Sequence, residues 1–269
     1  PDVVVGAGGY VTGSVLLTAS LMRIPTLIME SNALPGFTNR VLARFVDKAA
    51  VTFAEAASFF PDKAVVTGNP VRREFFDIPP KSRDDNGFSL LAFGGSQGAR
   101  AINQAIVAAL SNLETQKSRL KIVHQTGEPD FETVSKGYET GGWNNVENVS
   151  VKKYIDNMTA EFANSDLIIC RAGATTCAEL AAAGKAAIMI PLPTAADDHQ
   201  RKNAEALQNA GAARMILQKD LNGEVLANEI KSLLDAPEKI TAMERAAKTL
   251  VKGDAAALMV DLIENLAKK

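Results

Sequence analysis

Residues Ser165–Leu192 read SDLIICRAGATTCAELAAAGKAAIMIPL. Leu167, Ile168, Ile169 and Cys170 form an apolar run of strand length, Ala172–Thr176 are small, and Thr176–Ala183 can start a helix that Gly184 stops. A second apolar strand, Ala187–Ile190, follows at once, so the stretch is a βαβ unit. Its loop opens at a helix N-terminus, where free backbone N–H groups and the helix dipole favour an anionic ligand. Glu179 lies one turn into that helix, near where a nucleotide ribose would stand if its diphosphate sat on the loop.

The chain has 269 residues, 46% of them hydrophobic, enough for two α/β domains or one large one with ample core. Its formal charge is −2 and Lys and Arg are spread along it with no basic tail, so nothing points to nucleic acid. Cys170 and Cys177 both occupy apolar positions, which reads as buried free thiols in a reducing cytosol rather than a metal or redox site. No apolar run reaches the roughly 18 residues that a membrane-spanning helix needs. Pro1 leads straight into a strand without an initiator Met or targeting segment, and residues ahead of it are expected to be missing.

From the N-terminus, Asp2–Val5 is a β-rich run, GAGGYVTG (6–13) a glycine loop and Val15–Met22 an apolar helix. Gly8 and Gly9, next to Tyr10, can let the backbone cradle a phosphate, and would equally serve a tight βα turn. Ile24–Met29 is a strand ending in Glu30, Ser31 and Asn32, polar residues in the position where open α/β sheets bind ligands. A helix is expected within 35–48, with Leu42 and Val46 on one side and Arg40, Arg44 and Lys48 spaced by four on another. Such a row suits a solvated face, or an anionic membrane surface or lipid diphosphate. Ala49–Thr52 and Ala64–Val66 are short strands, and Arg72 follows Gly68, Asn69 and Pro70 with a guanidinium fork suited to phosphate.

Asp77–Gly87, DIPPKSRDDNG, reads as an interdomain linker. The βα rhythm restarts with Ser89–Phe93, the loop GGSQGAR (94–100) and a helix with Ile102, Ile106, Ala109, Leu110 and Leu113 on one stripe. In that loop Ser96 can bond a phosphate directly and Gly95 lets the backbone approach it, with Gly94 and Gln97 alongside. Leu120–His124 ends in HQTG, where His124 is either a base or a satisfied histidine at a strand end. Val149–Tyr154 leads into Ile155, whose backbone could pass across a flat base. A polar helix after Pro193 presents Gln200 and Asn203 near the loop that follows Ile190. Leu258, Met259, Leu262, Ile263 and Leu266 form a terminal apolar stripe expected to dock on the body.

Three strand–loop–helix units divided by a linker predict an α/β protein of two doubly wound, Rossmann-like domains facing across a cleft, suited to holding a diphosphate-bearing molecule. No glycine loop reads G-x-G-x-x-G with an acidic residue at the ribose spacing, which speaks against a dinucleotide oxidoreductase.

Several segments in order carry a specific resemblance: GAGGYVTG (6–13), ESN with the downstream TNR (30–40), GNPVR (68–72), GGSQGAR (94–100), HQTG (124–127), YIDNM (154–158), CRAGATTCAELAAAGKAAIMIPLP (170–193) and HQ with NA (199–204). Together they resemble the MurG family, bacterial glycosyltransferases that add N-acetylglucosamine to undecaprenyl-diphosphate muramoyl-pentapeptide in peptidoglycan synthesis. The resemblance implies a metal-independent, inverting GT-B enzyme with no cofactor and UDP-N-acetylglucosamine as donor. The division it implies is an incomplete N-terminal acceptor domain (1–76), the linker (77–87), a donor domain (88–240) and helices in 241–269 packing back towards the N-terminal domain. It implies that Ser96 and Arg72 hold the diphosphate, Ile155 meets uracil by its backbone, and the loop Ala174, Thr175, Thr176 to Glu179 approaches phosphate and ribose. Asn32 and Gln200 would contact the sugar, Gly8, Gly9 and Tyr10 would line the acceptor diphosphate site, and Arg40, with Arg44, would face the membrane.

Two departures stand out. The family's first glycine loop, GGTGGH, whose histidine is proposed to act in acceptor activation, has no counterpart after Pro1, so the catalytic base is not named in this chain. The histidine that precedes the family's Glu is replaced by Met29. The expected partners are the UDP-sugar, the lipid-linked acceptor and the cytoplasmic face of the bacterial inner membrane, held peripherally. Competing readings are a UDP-N-acetylglucosamine epimerase, which would need carboxylate pairs that only Glu30 and Glu179 approach at loop ends, and a donor-binding fragment inactive without the preceding segment.

Overall fold

The computed structural model describes residues 1–82, 87–144 and 147–268. The chain begins with β1 (Val4–Gly6), α1 (Gly9–Leu21), β2 (Thr26–Glu30), α2 (Phe37–Leu42), β3 (Lys48–Val51), β4 (Ala64–Val66) and α3 (Arg73–Phe76). These strands form a parallel sheet in the order β1-β2-β3-β4. Period-two alternation divides their side chains between two cores. Ile28, Ala49 and Val51 pack beneath Leu16 and Leu42, whereas Leu27 and Ala50 face the terminal stripe residues Met259 and Leu266.

The second sheet is built from β5 (Phe88–Phe93), α4 (Arg100–Ala109), β6 (Leu120–Gln125), α5 (Phe131–Thr140), β7 (Val149–Lys152), α6 (Met158–Asn164), β8 (Leu167–Cys170), α7 (Ala174–Ala183), β9 (Ala187–Met189), α8 (His199–Asn209) and β10 (Ala213–Met215). Helices α9 (Gly223–Leu234), α10 (Pro237–Thr249) and α11 (Ala255–Ala267) complete the chain. All six strands are parallel, in the order β10-β9-β8-β5-β6-β7. This is the doubly wound arrangement, and the winding reverses between β5 and β8. The central strands bury both faces: Leu90, Ile122, Ile169 and Ile188 point into one core and Leu91, Ile168, Cys170 and Met189 into the other.

Four sequence expectations need correction. The helix expected within 35–48 is only α2, because Val46 and Ala49 are drawn into the first core and the chain turns at Phe45 and Val46, whose N–H groups both donate to the Leu42 carbonyl. Lys48 opens β3, so Arg40, Arg44 and Lys48 do not share a helix face. The first domain does not extend to residue 76: Phe75 is fully buried in the second lobe, edge-on to Phe162 at 5.1 Å, with Val71 and Phe76 packed beside it. Nor do the residues from 241 pack back together, since Met243 and Ala247 of α10 belong to the second lobe's cores and only α11 lies on the first sheet. Of the expected linker, residues 83–86 lie outside the described residues; ahead of them Ile78 is buried and Lys81 pairs with the buried Asp166 at 2.5 Å.

Among the described residues no helix is long and apolar enough to cross a membrane. The terminal stripe docks on the body, and Cys170 and Cys177 are buried free thiols, with burial pushing Cys177 up to about 12.

Candidate functional site

Open α/β sheets bind ligands beyond the carboxyl ends of the strands where the winding reverses, which here means the loops after β5 and β8. The loop after β5 is tight. A Cβ on Gly94 would stand 2.2 Å from that of Ala99, and one on Gly98, at φ +75°, would stand 1.8 Å from the Thr126 carbonyl oxygen. Ser96 and Gln97 are exposed at its tip, and Gly95, at φ +86°, faces open space. After β8, Gly173 is the N-cap of α7 and no side chain caps it. The N–H groups of Ala174, Thr175 and Thr176 are therefore those that a helix leaves for an external acceptor, and the helix dipole adds positive potential there.

Glu179 is half-buried on the same helix. Burial raises its carboxyl above the usual carboxylate range, and the positive charge of Arg72 works against that rise. Arg72 is exposed at the N-cap of α3, with its guanidinium 5.1 Å above the Phe75 ring, so the packing of α3 against the second lobe brings it to the same side of the cleft as Glu179. Ile155 is buried, and its N–H donates to the side chain of Gln125 at 2.8 Å, which fixes the backbone of the loop after β7.

The first lobe reaches this site through the loop after β2. Buried Glu30 accepts from the Asn32 and Gly36 N–H groups and from the Asn32 and Asn39 side-chain amides, which folds the loop around one carboxylate. Asn32 Oδ1 accepts from Asn203 Nδ2 at 3.1 Å; the same Nδ2 donates to the Ala172 carbonyl at 3.1 Å, and Asn203 Oδ1 accepts the Ala33 N–H at 2.8 Å. Asn203 is fully buried, so a single amide ties the first lobe to the mouth of α7. One turn earlier, Gln200 Oε1 accepts from the N–H groups of Ala172 and Leu192, leaving its Nε2 free to donate towards a ligand.

Ser96, Thr175, Thr176, Glu179, Gln200, Arg72 and Ile155 thus gather at one end of the second sheet, with Asn32 joined to them through Asn203. Other residues singled out in the sequence lie elsewhere. Gly8 and Gly9, at φ +91° and +84°, open α1, which also lacks a side-chain cap, and Tyr10 stands 99% exposed beside them. Arg40 pairs with Asp197 of the second lobe at 2.9 Å, while Arg44 stays exposed over Phe45. His124 is buried between Tyr138 Oη at 3.2 Å and Asn103 Oδ1 at 3.0 Å, and burial holds it down at about 4. It is neutral and outside the cleft, hence a structural histidine. Sequence reading did not single out Gln125, whose signal was a polar residue ending a buried strand.

Residues 89–259 match the glycosyltransferase family 28 C-terminal domain, and residues 1–51 match the family's N-terminal domain. A relative from Anaeromyxobacter dehalogenans, named UDP-N-acetylglucosamine–N-acetylmuramyl-(pentapeptide) pyrophosphoryl-undecaprenol N-acetylglucosamine transferase, is 48% identical over 100% of this chain and 70% of its own length. The crystal structure of MurG from Acinetobacter baumannii superposes with a TM-score of 0.84 at 36% identity, covering 98% of this chain and 74% of that one. A UDP-N-acetylglucosamine 2-epimerase from Neisseria meningitidis, solved with UDP-N-acetylglucosamine bound, superposes with a TM-score of 0.67 at 16% identity over 97% of this chain and 75% of that one, a likeness of fold alone.

Proposed function

The chain belongs to glycosyltransferase family 28, among the N-acetylglucosamine transferases of the MurG type, and from that premise we propose how its cleft works. The protein is a UDP-N-acetylglucosamine-dependent glycosyltransferase whose acceptor is the lipid-linked muramoyl-pentapeptide. The observation that carries the site assignment is the uncapped N-terminus of α7 at the point where the sheet reverses, with Glu179 one turn on and the charge of Arg72 beside it.

In our reading the donor diphosphate lies on the N–H groups of Ala174, Thr175 and Thr176, held from the sides by Ser96 and Arg72. Glu179 accepts from the ribose hydroxyls. Uracil donates its N3–H to the Ile155 carbonyl, in a loop whose backbone the bond from Ile155 N–H to Gln125 holds in place. Asn32 and the free Nε2 of Gln200 meet the sugar. Gly8, Gly9 and Tyr10, at the open end of α1, take the acceptor diphosphate, so the two substrates approach from opposite lobes. The muramoyl 4-hydroxyl gives its proton to a base not assigned among the described residues and attacks the anomeric carbon, the bond from that carbon to the diphosphate oxygen breaks with inversion, and UDP leaves. Negative charge grows on the departing diphosphate, and Arg72 with the helix N-terminus offsets it electrostatically, without a metal ion or cofactor.

Peripheral attachment to the cytoplasmic face of the membrane is part of the same proposal. Phe37, Val41 and Phe45 are exposed together along and just after α2, with Arg44 among them, a pairing of apolar and basic side chains suited to an anionic lipid surface. The deciding experiment supplies UDP-N-acetylglucosamine and the lipid-linked muramoyl acceptor. Formation of the disaccharide lipid with release of UDP is expected; epimer formation, or donor binding with no transfer, would count against the proposal.

A further inference from the structure

Gln125 ends β6, the strand between β5 and β7, and is 1% exposed. Its amide spans the two neighbouring loops. Nε2 donates to the Gly95 carbonyl at 2.9 Å, in the loop that carries Ser96, and Oε1 accepts the Ile155 N–H at 2.8 Å, in the loop after β7. The orientation of the amide is fixed by chemistry, because a carbonyl on one side demands the NH₂ group and an N–H on the other demands the oxygen. Further backbone bonds, from Thr126 N–H to the Lys152 carbonyl and from Gly127 N–H to the Lys153 carbonyl, hold the β7 side, whereas the open tip at Gly95 and Ser96 has Gln125 beneath it.

We infer that Gln125 is a positioning residue that sets the spacing between the diphosphate loop (94–98) and the base loop (153–157), so that a nucleoside diphosphate is gripped at both ends at once. This rests on the donor-site reading above. Gln125 itself is buried and its amide is engaged on both sides, so it acts through Gly95 and Ile155 rather than by touching the nucleotide. Its two hydrogen bonds are separable by substitution. Gln125→Glu keeps an oxygen for the Ile155 N–H but loses the donor to Gly95; Gln125→Met keeps the length of the side chain and loses both.

The test is calorimetric titration of UDP and of uridine into the wild-type chain and both variants, with thermal unfolding recorded alongside. Gln125→Glu is expected to weaken UDP about tenfold while uridine changes less than about twofold, and Gln125→Met to weaken both about tenfold, the scale of one hydrogen bond that orders a loop. Equal losses for UDP and uridine in Gln125→Glu, or unchanged UDP affinity in Gln125→Met, would overturn the assignment. Absence of UDP binding by the wild-type chain would instead overturn the donor-site reading on which it rests. Should Gln125→Glu fail to fold, the comparison of UDP with uridine in Gln125→Met still decides, because a loss confined to thermal stability contradicts the positioning role.

Discussion

Replacing Asn203 with Ala removes the amide that joins the lobes. The Ala33 N–H, which donates to Asn203 in a buried setting, is left with no partner, and Asn32 Oδ1 and the Ala172 carbonyl each lose a donor. A buried polar group left unpaired costs about 1–3 kcal/mol; with one orphaned donor and two acceptors that keep other lone pairs, the expected total is about 3 kcal/mol. This loss falls on the joint and not on either core, so it should uncouple the lobes. The single tryptophan, Trp143, is buried in the second lobe and reports on that lobe alone, while circular dichroism sees both. In urea the wild type should lose both signals together, and Asn203→Ala should lose part of the dichroism before the fluorescence moves. Asn203→Asp should be worse, because a carboxylate in that place faces two acceptors and is buried. Coincident transitions in Asn203→Ala, with a stability change under about 0.5 kcal/mol, would refute the reasoning.

Burial raises the Glu179 carboxyl, so the folded chain holds that proton more tightly than the unfolded one; the associated stability is present at low pH and is lost as pH rises through the raised folded value. Glu179→Gln should therefore stabilise the free protein near neutrality and weaken UDP binding, as thermal unfolding and titration together would reveal; unchanged UDP affinity would sink the ribose assignment. His124 runs the other way: its folded value near 4 lies below the ordinary 6.5, so stability is full above pH 6.5 and drains as pH falls towards 4, by on the order of 3 kcal/mol. Denaturant midpoints at pH 7 and 4.5 should differ less for His124→Gln than for the wild type, and equal differences would exclude His124 as the source. Phe37→Ser with Arg44→Ala should cut co-sedimentation with anionic vesicles and leave UDP affinity unchanged; undiminished sedimentation would remove α2 as the membrane contact.

The part of the fold that sequence made legible is the part whose determinants are local. Leu167–Cys170 are buried on both faces and read as a continuous apolar run, and Gly184, at φ +63°, closes α7 where the small-residue helix needed a left-handed cap. Where a determinant sits far along the chain, reading failed or fell silent. A helix within 35–48 was legible, but the spacing of Arg40, Arg44 and Lys48 by four suggested a shared face that the demand of the first core for Val46 and Ala49 overrode. Phe75 looked like the end of the first domain because the ring that claims it, Phe162, comes much later in sequence. At the end of β6, His124 drew attention by its chemistry, yet alternation sends it into the core and turns Gln125 towards the loops. Asn203 could be placed near the cleft from its helix, but its partners on the first lobe lie 171 and 170 residues upstream.

The two sheets divide the work of the site unequally. The second reverses its winding between β5 and β8 and so makes its own crevice, lined by an uncapped helix and a glycine loop. The first lobe reaches that crevice through the loop after β2, presented across the gap. Besides the packing of α11 on the first sheet, contacts of different strength hold it there: Arg40 to Asp197, half-exposed and screened by solvent, and Asn203 to Asn32 and Ala33, dry and fixed in geometry. On the proposed donor site, nucleotide recognition would fall to the second lobe and the clamp at Gln125, and alignment of the sugar with an incoming acceptor would depend on the joint at Asn203. Substitutions in the first set act on donor affinity, and substitutions at the joint act on transfer from a donor that is already bound.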